Sequence, residues 1–538
     1  MRRSTLWRFL AIALPTLGAL VAALPAVDLA YQLRAGAEIL DSGRIPSADA
    51  WTFTVAGTPW LDQQWGAQVL LTLVYRLGGW TGLAVLRAGL VGLAFGLLLL
   101  VVRRRAPTLG SAGATLLVIG AFLVGVTTLA LRPQLFAIDL FAATLLVLAY
   151  RDAHPRLVWL IPLVALAWAN LHGTFLLAPA VCGLAWFEDL AAMPPSRGVA
   201  RHRMLFVGLV ATVATLVTPF GPAVWGYVSS LTSNPSIAGR VSEWQPPSPL
   251  DVSGAIVWLS LLAVAGLLVA RITRTVRSSG RLVGAIPWPA VLTLLLFGGF
   301  AALSGRGVAW WPLVAVFVIA PWLAPRPAAA STTPADASAT PADGSTTPAD
   351  ASATPAERRP PPLLRRLNLA IAAILVLAGV ALLPTWRPVG AAGVPLATIS
   401  YAPQSLGAAL TTIQPRTGPT GSPGASRVWN PQTWGSWLEF AAPADRYALD
   451  SRIELFPGSI WDDAATISAG NLGALAKYQV DIVVTDSQAD AGLEAALTSD
   501  PADWLEFAMT CDGAIWLRRT TFPGVLPSPT FGCPEASS

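Results

Sequence analysis

The residues best suited to chemistry stand just after the first apolar stretch: Asp28, Gln32, Arg34, Asp49, Asp62, Gln63 and Gln64, interleaved with Trp51, Trp60 and Trp65. A carboxylate at the mouth of a membrane span serves as a general base when burial raises its pKa towards working pH. Asp28 is either such a base or a helix-end residue in water. Arg34 lies one or two helical turns further on and is spaced to pair with Asp28 or with an anionic substrate, because a guanidinium grips phosphate oxygens bidentately. The alternative is an interfacial arginine that snorkels. Asp49, Asp62, Gln63 and Gln64 offer acceptors and donors suited to sugar hydroxyls, or else form a solvated loop.

Other polar residues fall on the same side of the expected membrane. His172 sits in Asn170-Leu171-His172-Gly173, Glu243 in Ser242-Glu243-Trp244-Gln245, and Arg306 in Ser304-Gly305-Arg306-Gly307. Asp139 lies within an apolar run, and an intramembrane acid is a functional candidate by default. Convergence from separate loops on one face argues for a site more strongly than any one residue. The sequence has no His/Cys cluster with metal-ligand spacing; a divalent cation shared by Asp28, Asp49 and Asp62 remains open. A Walker loop, a dinucleotide fingerprint and a Gly-x-Ser-x-Gly elbow are all missing from the sequence.

The elements that must hold these residues are membrane helices. Of 538 residues, 54% are hydrophobic and 12% charged, against about a quarter charged in soluble domains; the mean hydropathy is +0.58. Apolar stretches long enough to cross roughly 30 Å of hydrocarbon place spans near 8–27, 80–102, 109–131, 133–150, 157–170, 172–188, 204–225, 252–271, 286–304, 308–325 and 367–385. The net charge of +5 does not point to nucleic acid. The arginines cluster in alternate short loops, at 103–105, 151–156, 197–203, 271–281 and 358–366, and that bias orients spans. It puts the N-terminus in the cytoplasm and the first span, which lacks a clean cleavage pattern, stays in the chain. Lysine is almost absent, which fits a GC-rich bacterial genome and a bacterial cytoplasmic membrane.

The expected organisation is a transmembrane core over 1–325 with a first outer loop at 28–79, a linker at 326–366, a last span at 367–385 and an extracytoplasmic α/β domain at 386–538. The linker carries Ser/Thr-Pro-Ala-Asp repeats that cannot bury a core, so disorder is expected. In the outer domain, Tyr478–Thr485 is expected as a strand, and Leu505–Met509 with Ala514–Leu517 as a hairpin around Cys511-Asp512-Gly513. Helices are expected near 464–477 and 489–498, and Asp450 with Arg452 as a structural ion pair. Cys182 lies in an apolar run. A disulfide between Cys511 and Cys533 is permitted by compartment and undecided by sequence.

The stretch from Asp28 to Trp65 resembles the first outer loop of bacterial GT-C-type membrane glycosyltransferases, in a poorly characterised group. The matching residues are Asp28, Gln32-Leu33-Arg34, Gly36, Ile45-Pro46, Thr54, Gly57, Trp60 and Gln63-Gln64-Trp65. Trp168–Gly173, Thr218–Pro222, Glu243-Trp244, Arg427–Asn430, Trp434-Gly435, Asp450–Arg452 and Tyr478–Asp481 extend the likeness. Gln32 and Gln63-Gln64 stand where many relatives carry His and Glu. The resemblance implies a mainly α, polytopic GT-C-like bundle. It implies transfer of a sugar from a polyprenyl-phosphate donor to an envelope glycan, lipid or protein acceptor, with Asp28 as base and Arg34 or Arg306 on the phosphate. The competing readings are an inactive scaffold that binds lipid or glycan, and a transporter, for which only one interrupted helix pair speaks.

Overall fold

The computed structural model describes residues 1–233, 242–281, 285–325, 361–390, 392–413, 416–417 and 423–528. Residues 326–360 of the expected linker and Cys533 lie outside them, and the linker's last residues, from Pro362, are already helix. Each expected span overlaps a helix, but 204–225 is helical only to Ala214 and again from Ala223, and 8–27 breaks after Val21. Among the described residues, α1 (Arg3–Val21), α3 (Trp65–Arg105), α5 (Pro133–Tyr150), α10 (Val252–Ser279) and α14 (Pro362–Ala381) are long and apolar enough to cross a bilayer. So are Ser111–Thr128, built on α4 (Ser111–Gly125), and Gly173–Ala192, built on α7 (Leu177–Ala192). Shorter helices complete the bundle: α6 (Ile161–Ala169), α8 (Val199–Ala214), α11 (Trp288–Leu303) and α13 (Trp311–Leu323). The protein is a multi-pass membrane protein.

The first outer loop is more regular than expected. Its polar residues ride on a separate helix, α2 (Ala26–Ser42), which begins after Pro25 and stops at Gly43, where φ is +68°. A left-handed residue after the last turn is the usual place for glycine. Gly36 lets α2 cross α3 at backbone contact: a Cβ there would sit 2.2 Å from the Gln68 carbonyl oxygen. The second span starts early, at Trp65, and kinks at Gly79, where φ is +56°.

The outer domain carries a five-stranded sheet in the order β6 (Arg446–Tyr447), β5 (Arg427–Trp429), β7 (Ile482–Asp486), β9 (Gly513–Arg518), β8 (Trp504–Met509). The first three strands run parallel and the β8/β9 hairpin is antiparallel. The expected hairpin is present. The expected strand starts four residues late, because Gln479 takes a φ of +51° and turns the chain before Ile482. Helices α16 (Gln432–Ala441), α17 (Gly458–Ser468), α18 (Leu472–Ala476) and α19 (Ala491–Thr498) surround the sheet. Cys511 is disulfide-bonded, and Cys182 is free and buried.

The domain is not an appendage. Phe53 donates its N–H to the Tyr447 carbonyl at 3.0 Å, and Tyr447 donates back to Trp51 at 3.1 Å, so loop one lengthens the sheet beside β6. Strands β1 (Leu24–Pro25) and β2 (Ile399–Ser400) pair in parallel just before α2, and α16 packs along α2. At this junction Arg452, 1% exposed, lies over both the Trp51 and Trp60 rings, at 4.2 and 4.7 Å, and those rings meet edge to face. Its guanidinium bridges Asp450 at 2.5 Å and Asp49 at 2.6 Å. The expected Asp450–Arg452 pair therefore exists, and Asp49 is its third member.

Candidate functional site

Asp28 occupies the first turn of α2, where the helix dipole favours negative charge. Tyr31 and Gln32, three and four residues on, share its face. Gln32 Nε2 donates to the Tyr31 hydroxyl at 2.5 Å and to Gln64 Oε1 at 2.6 Å. Arg34 points elsewhere: its Nη1 donates to the Glu439 carbonyl at 2.8 Å and its guanidinium stacks 4.8 Å from Trp51. Six residues on a helix turn through about 600°, which separates the two side chains. The expected Asp28–Arg34 pairing is thus replaced.

Its replacement is Arg132, the residue that caps the start of α5. Arg132 Nη1 reaches Asp28 Oδ2 at 3.1 Å and Glu243 Oε1 at 2.5 Å. Glu243 Oε2 in turn pairs with Arg306 Nε at 3.5 Å, and the Arg306 guanidinium lies 4.5 Å over Trp244. The turn holding Arg306 is pinned to the short 3-10 turn Ser242–Trp244 and the residue after it: Ser304 donates its hydroxyl to the Glu243 carbonyl at 3.1 Å, and Gly305 its N–H to the Gln245 carbonyl at 2.9 Å. Burial alone would raise the Glu243 pKa, but Arg132 and Arg306 outweigh it and hold the carboxyl below the ordinary range. Burial lowers Arg306, against the pull of Glu243. For Arg132 the carboxylates win over burial, and its pKa rises. Asp28 keeps a third of its side chain exposed, at 35%, and among the described residues its Oδ1 accepts no hydrogen bond.

His172 belongs to the same cluster. Its Nδ1 lies 2.8 Å from the Thr174 hydroxyl and accepts the Thr174 N–H at 3.3 Å, which puts the ring proton on Nε2. Burial, with Arg306 and Arg132 adding repulsion, pushes its pKa down to about 3, so the ring is neutral at physiological pH. Gln63 positions this turn from below, donating to the Ala169 carbonyl at 2.8 Å. Asp62 is 2% exposed and accepts from Gln68 at 2.6 Å; burial raises its pKa to about 7.

Two further walls come from places the sequence reading passed over. Tyr227, on α9 (Ala223–Ser233), donates to Glu454 Oε1 of the outer domain at 3.2 Å. Glu454 also acts electrostatically on Tyr31 and Arg306. Burial raises the Glu454 pKa, and lifts the Tyr31 and Tyr227 phenols well above their ordinary 10. The outer domain thus closes the site with a carboxyl group.

Of the expected residues, the structure brings together Asp28, Gln64, His172, Glu243 and Arg306, with Asp62 and Gln63 bordering them. Asp49 is withdrawn into the Arg452 junction and accepts the Thr52 hydroxyl at 2.6 Å. A cation shared by Asp28, Asp49 and Asp62 does not fit this donor set, and among the described residues no group of three or more His, Cys, Asp or Glu side chains is placed to hold a metal. Asp139 lies about two turns beyond Arg132 on α5, its oxygens buried and without partners among the described residues. Arg132, Tyr31, Tyr227 and Glu454 went unmarked. Arg132 carried a signal: it is an arginine on the side that arginines avoid.

No known family model matches the chain, and no curated protein matches it in sequence. Among solved structures, the crystal structure of the Archaeoglobus fulgidus oligosaccharyltransferase in the apo form is similar, with a TM-score of 0.53 and 11% identity, over 94% of this chain and 73% of that one. A second crystal structure of that protein, tethered through a disulfide bond to an acceptor peptide containing the NVT sequon, gives a TM-score of 0.49 at 11% identity, covering 94% and 72%. The apo likeness is one of fold. It gives the chain a GT-C-like architecture: a polytopic helical bundle followed by a C-terminal domain.

Proposed function

We propose that this chain is a membrane glycosyltransferase that moves a sugar from a polyprenyl-phosphate donor to an envelope glycan, lipid or protein on the extracytoplasmic face. The observation that carries the reading is the chain Asp28–Arg132–Glu243–Arg306 at the mouth of the bundle. One carboxylate oxygen is fixed by an ion pair and the other is left for an acceptor hydroxyl. In this reading Asp28 Oδ1 takes the proton of the acceptor hydroxyl as the hydroxyl oxygen bonds to the anomeric carbon. The bond from that carbon to the phosphate oxygen breaks, and its electron pair leaves with the lipid phosphate.

Arg306 and Arg132 oppose that developing charge. Preformed cations in a site shielded from water contribute strongly to such a transition state. Neutral His172, with Nε2–H as donor, and Tyr31, Tyr227 and Gln64 suit sugar hydroxyls. The implied first-loop arginine, Arg34, has no part in this assignment. The arginine-rich ends at 103–105 and 365–366 lie at the far end of the bundle from Asp28, since α3 runs from the site towards Arg105 and α14 begins beside Met1. That supports a cytoplasmic N-terminus and an outer-face site.

The test compares envelope glycans from cells carrying the wild-type chain, a deletion, and Asp28→Asn at matched membrane levels. The expected result is a glycan lost in the deletion and not restored by Asp28→Asn. Full restoration by Asp28→Asn sinks the assignment and moves an inactive lipid- or glycan-binding scaffold ahead of it.

A further inference from the structure

The far end of the bundle holds a polar cavity, unrelated to the site above. It encloses about 380 Å³ between the ends of α5, α7 and α8, and Arg151, Asp152, Asp189, Arg197 and Arg203 line it. Arg151 is nine-tenths buried there, its side chain 10% exposed, and pairs with Glu188 at 2.7 Å and Asp189 at 3.2 Å. Arg105 and Arg104 approach from the end of α3, where Arg105 feels Glu188, Arg151 and Asp152. Arg201 donates to the Leu190 carbonyl at 2.9 Å. The arginines outnumber the carboxylates Asp152, Glu188 and Asp189.

The donors are also in surplus. The Nε of Arg151, which lines the cavity, is buried and donates to nothing among the described residues, and those of Arg104, Arg105 and Arg201, outside the lining, are in the same state. A buried guanidinium nitrogen without an acceptor is costly. The arrangement calls for an anion with several acceptor oxygens, and a phosphate group matches the guanidinium fork.

Depth selects the source of that phosphate. Tyr150 ends one membrane-length helix and Ala192 ends another, so the cavity opens where the hydrocarbon gives way to headgroups. We infer that this cavity binds the phosphate headgroup of an anionic membrane phospholipid, at the end of the bundle opposite Asp28. Basic pockets between membrane helices are a known form of headgroup site. Arg197 and Arg203, whose guanidinium groups make no hydrogen bond among the described residues, are the two side chains left to close on the ligand.

The experiment titrates the full-length protein in neutral detergent with phosphatidylglycerol, phosphatidylcholine or inorganic phosphate, reading bound lipid by native mass spectrometry and thermal stability in parallel. The variants are Arg197→Gln with Arg203→Gln, and a control, Arg274→Gln with Arg277→Gln, which removes the same charge from the exposed end of α10. Phosphatidylglycerol should fill one saturable site. Its affinity should fall about 30-fold in the cavity variant, as two headgroup arginines predict, and less than about 2-fold in the control. Equal losses in both variants would make the attraction diffuse and overturn the site. So would equal binding of phosphatidylcholine. A stabilisation by inorganic phosphate alone that matches phosphatidylglycerol would overturn the lipid and leave a soluble anion. None of these readouts depends on sugar transfer.

Discussion

The Ser451 hydroxyl donates to the Val27 carbonyl at 2.6 Å. The outer domain is thereby tied to the residue that precedes Asp28, inside the turn that aims the carboxylate. Ser451 also accepts a close contact from the Ser436 hydroxyl at 2.5 Å. Ser451→Ala should cost about 1 kcal/mol of stability, a typical hydrogen bond, yet lower transfer about 10-fold because small displacements of a base are expensive. Thermal stability and transfer rate measured side by side decide it. An unchanged rate would show that the tie is only structural.

Arg132 neutralises Asp28 and Glu243 at once. Arg132→Gln should leave two carboxylates facing each other and reduce transfer by about 100-fold or more, the scale of losing one preorganised electrostatic partner. Adding Glu243→Gln should recover thermal stability without recovering transfer. Recovery of both would mean that Arg132 serves folding alone.

Asp62 gives a pH signature. Its pKa is about 7 in the folded chain against an ordinary 3.8, so the native state holds a proton that the unfolded chain releases. Stability therefore falls as pH rises from about 4 to about 7, and the penalty is complete above that. Asp62→Asn keeps an acceptor for Gln68 and removes the charge. Relative to wild type, the variant should gain about 3 kcal/mol of stability between pH 5 and pH 8. Identical melting differences at both values would reject the raised pKa.

The junction around Arg452 should be the least tolerant place in the outer domain. Arg452→Met leaves Asp49 and Asp450 buried without a cation, a loss of about 3–5 kcal/mol. Arg452→Lys should rescue little, since an ammonium cannot span two carboxylates and lie flat over Trp51 and Trp60. Melting curves of the two variants test this; a lysine variant as stable as wild type would contradict the fork geometry.

His172 should not shape the pH–rate profile between about 5 and 8, since its pKa is pushed to about 3. His172→Gln should lower the rate while leaving the profile's shape intact. A lost inflection in that range would make the imidazole a proton carrier.

The spans were legible because long uncharged runs admit few other structures, and the β8/β9 hairpin because a Cys-Asp-Gly turn separates two alternating stretches. Helix α2 was not, since its polar face masked the helical period that Leu29, Leu33 and Gly36 keep against α3. Residue type did not separate Asp28 from Asp49. What divides them is a partner 403 residues away, Arg452, which takes Asp49 out of reach. Arg132 was hidden for the opposite reason. It looked like one more arginine beside a span, and only its side of the membrane set it apart.

The parallel pairing of Thr52 with Tyr447 has a consequence for biogenesis. A nascent chain that has delivered all its membrane helices still lacks Glu454 and Ser451, and loop one has no strand to join. The mouth around Asp28 cannot be assembled until Tyr447, Ser451 and Glu454 have been synthesised, so a chain that stalls just after its last membrane helix sits in the membrane with that mouth unbuilt.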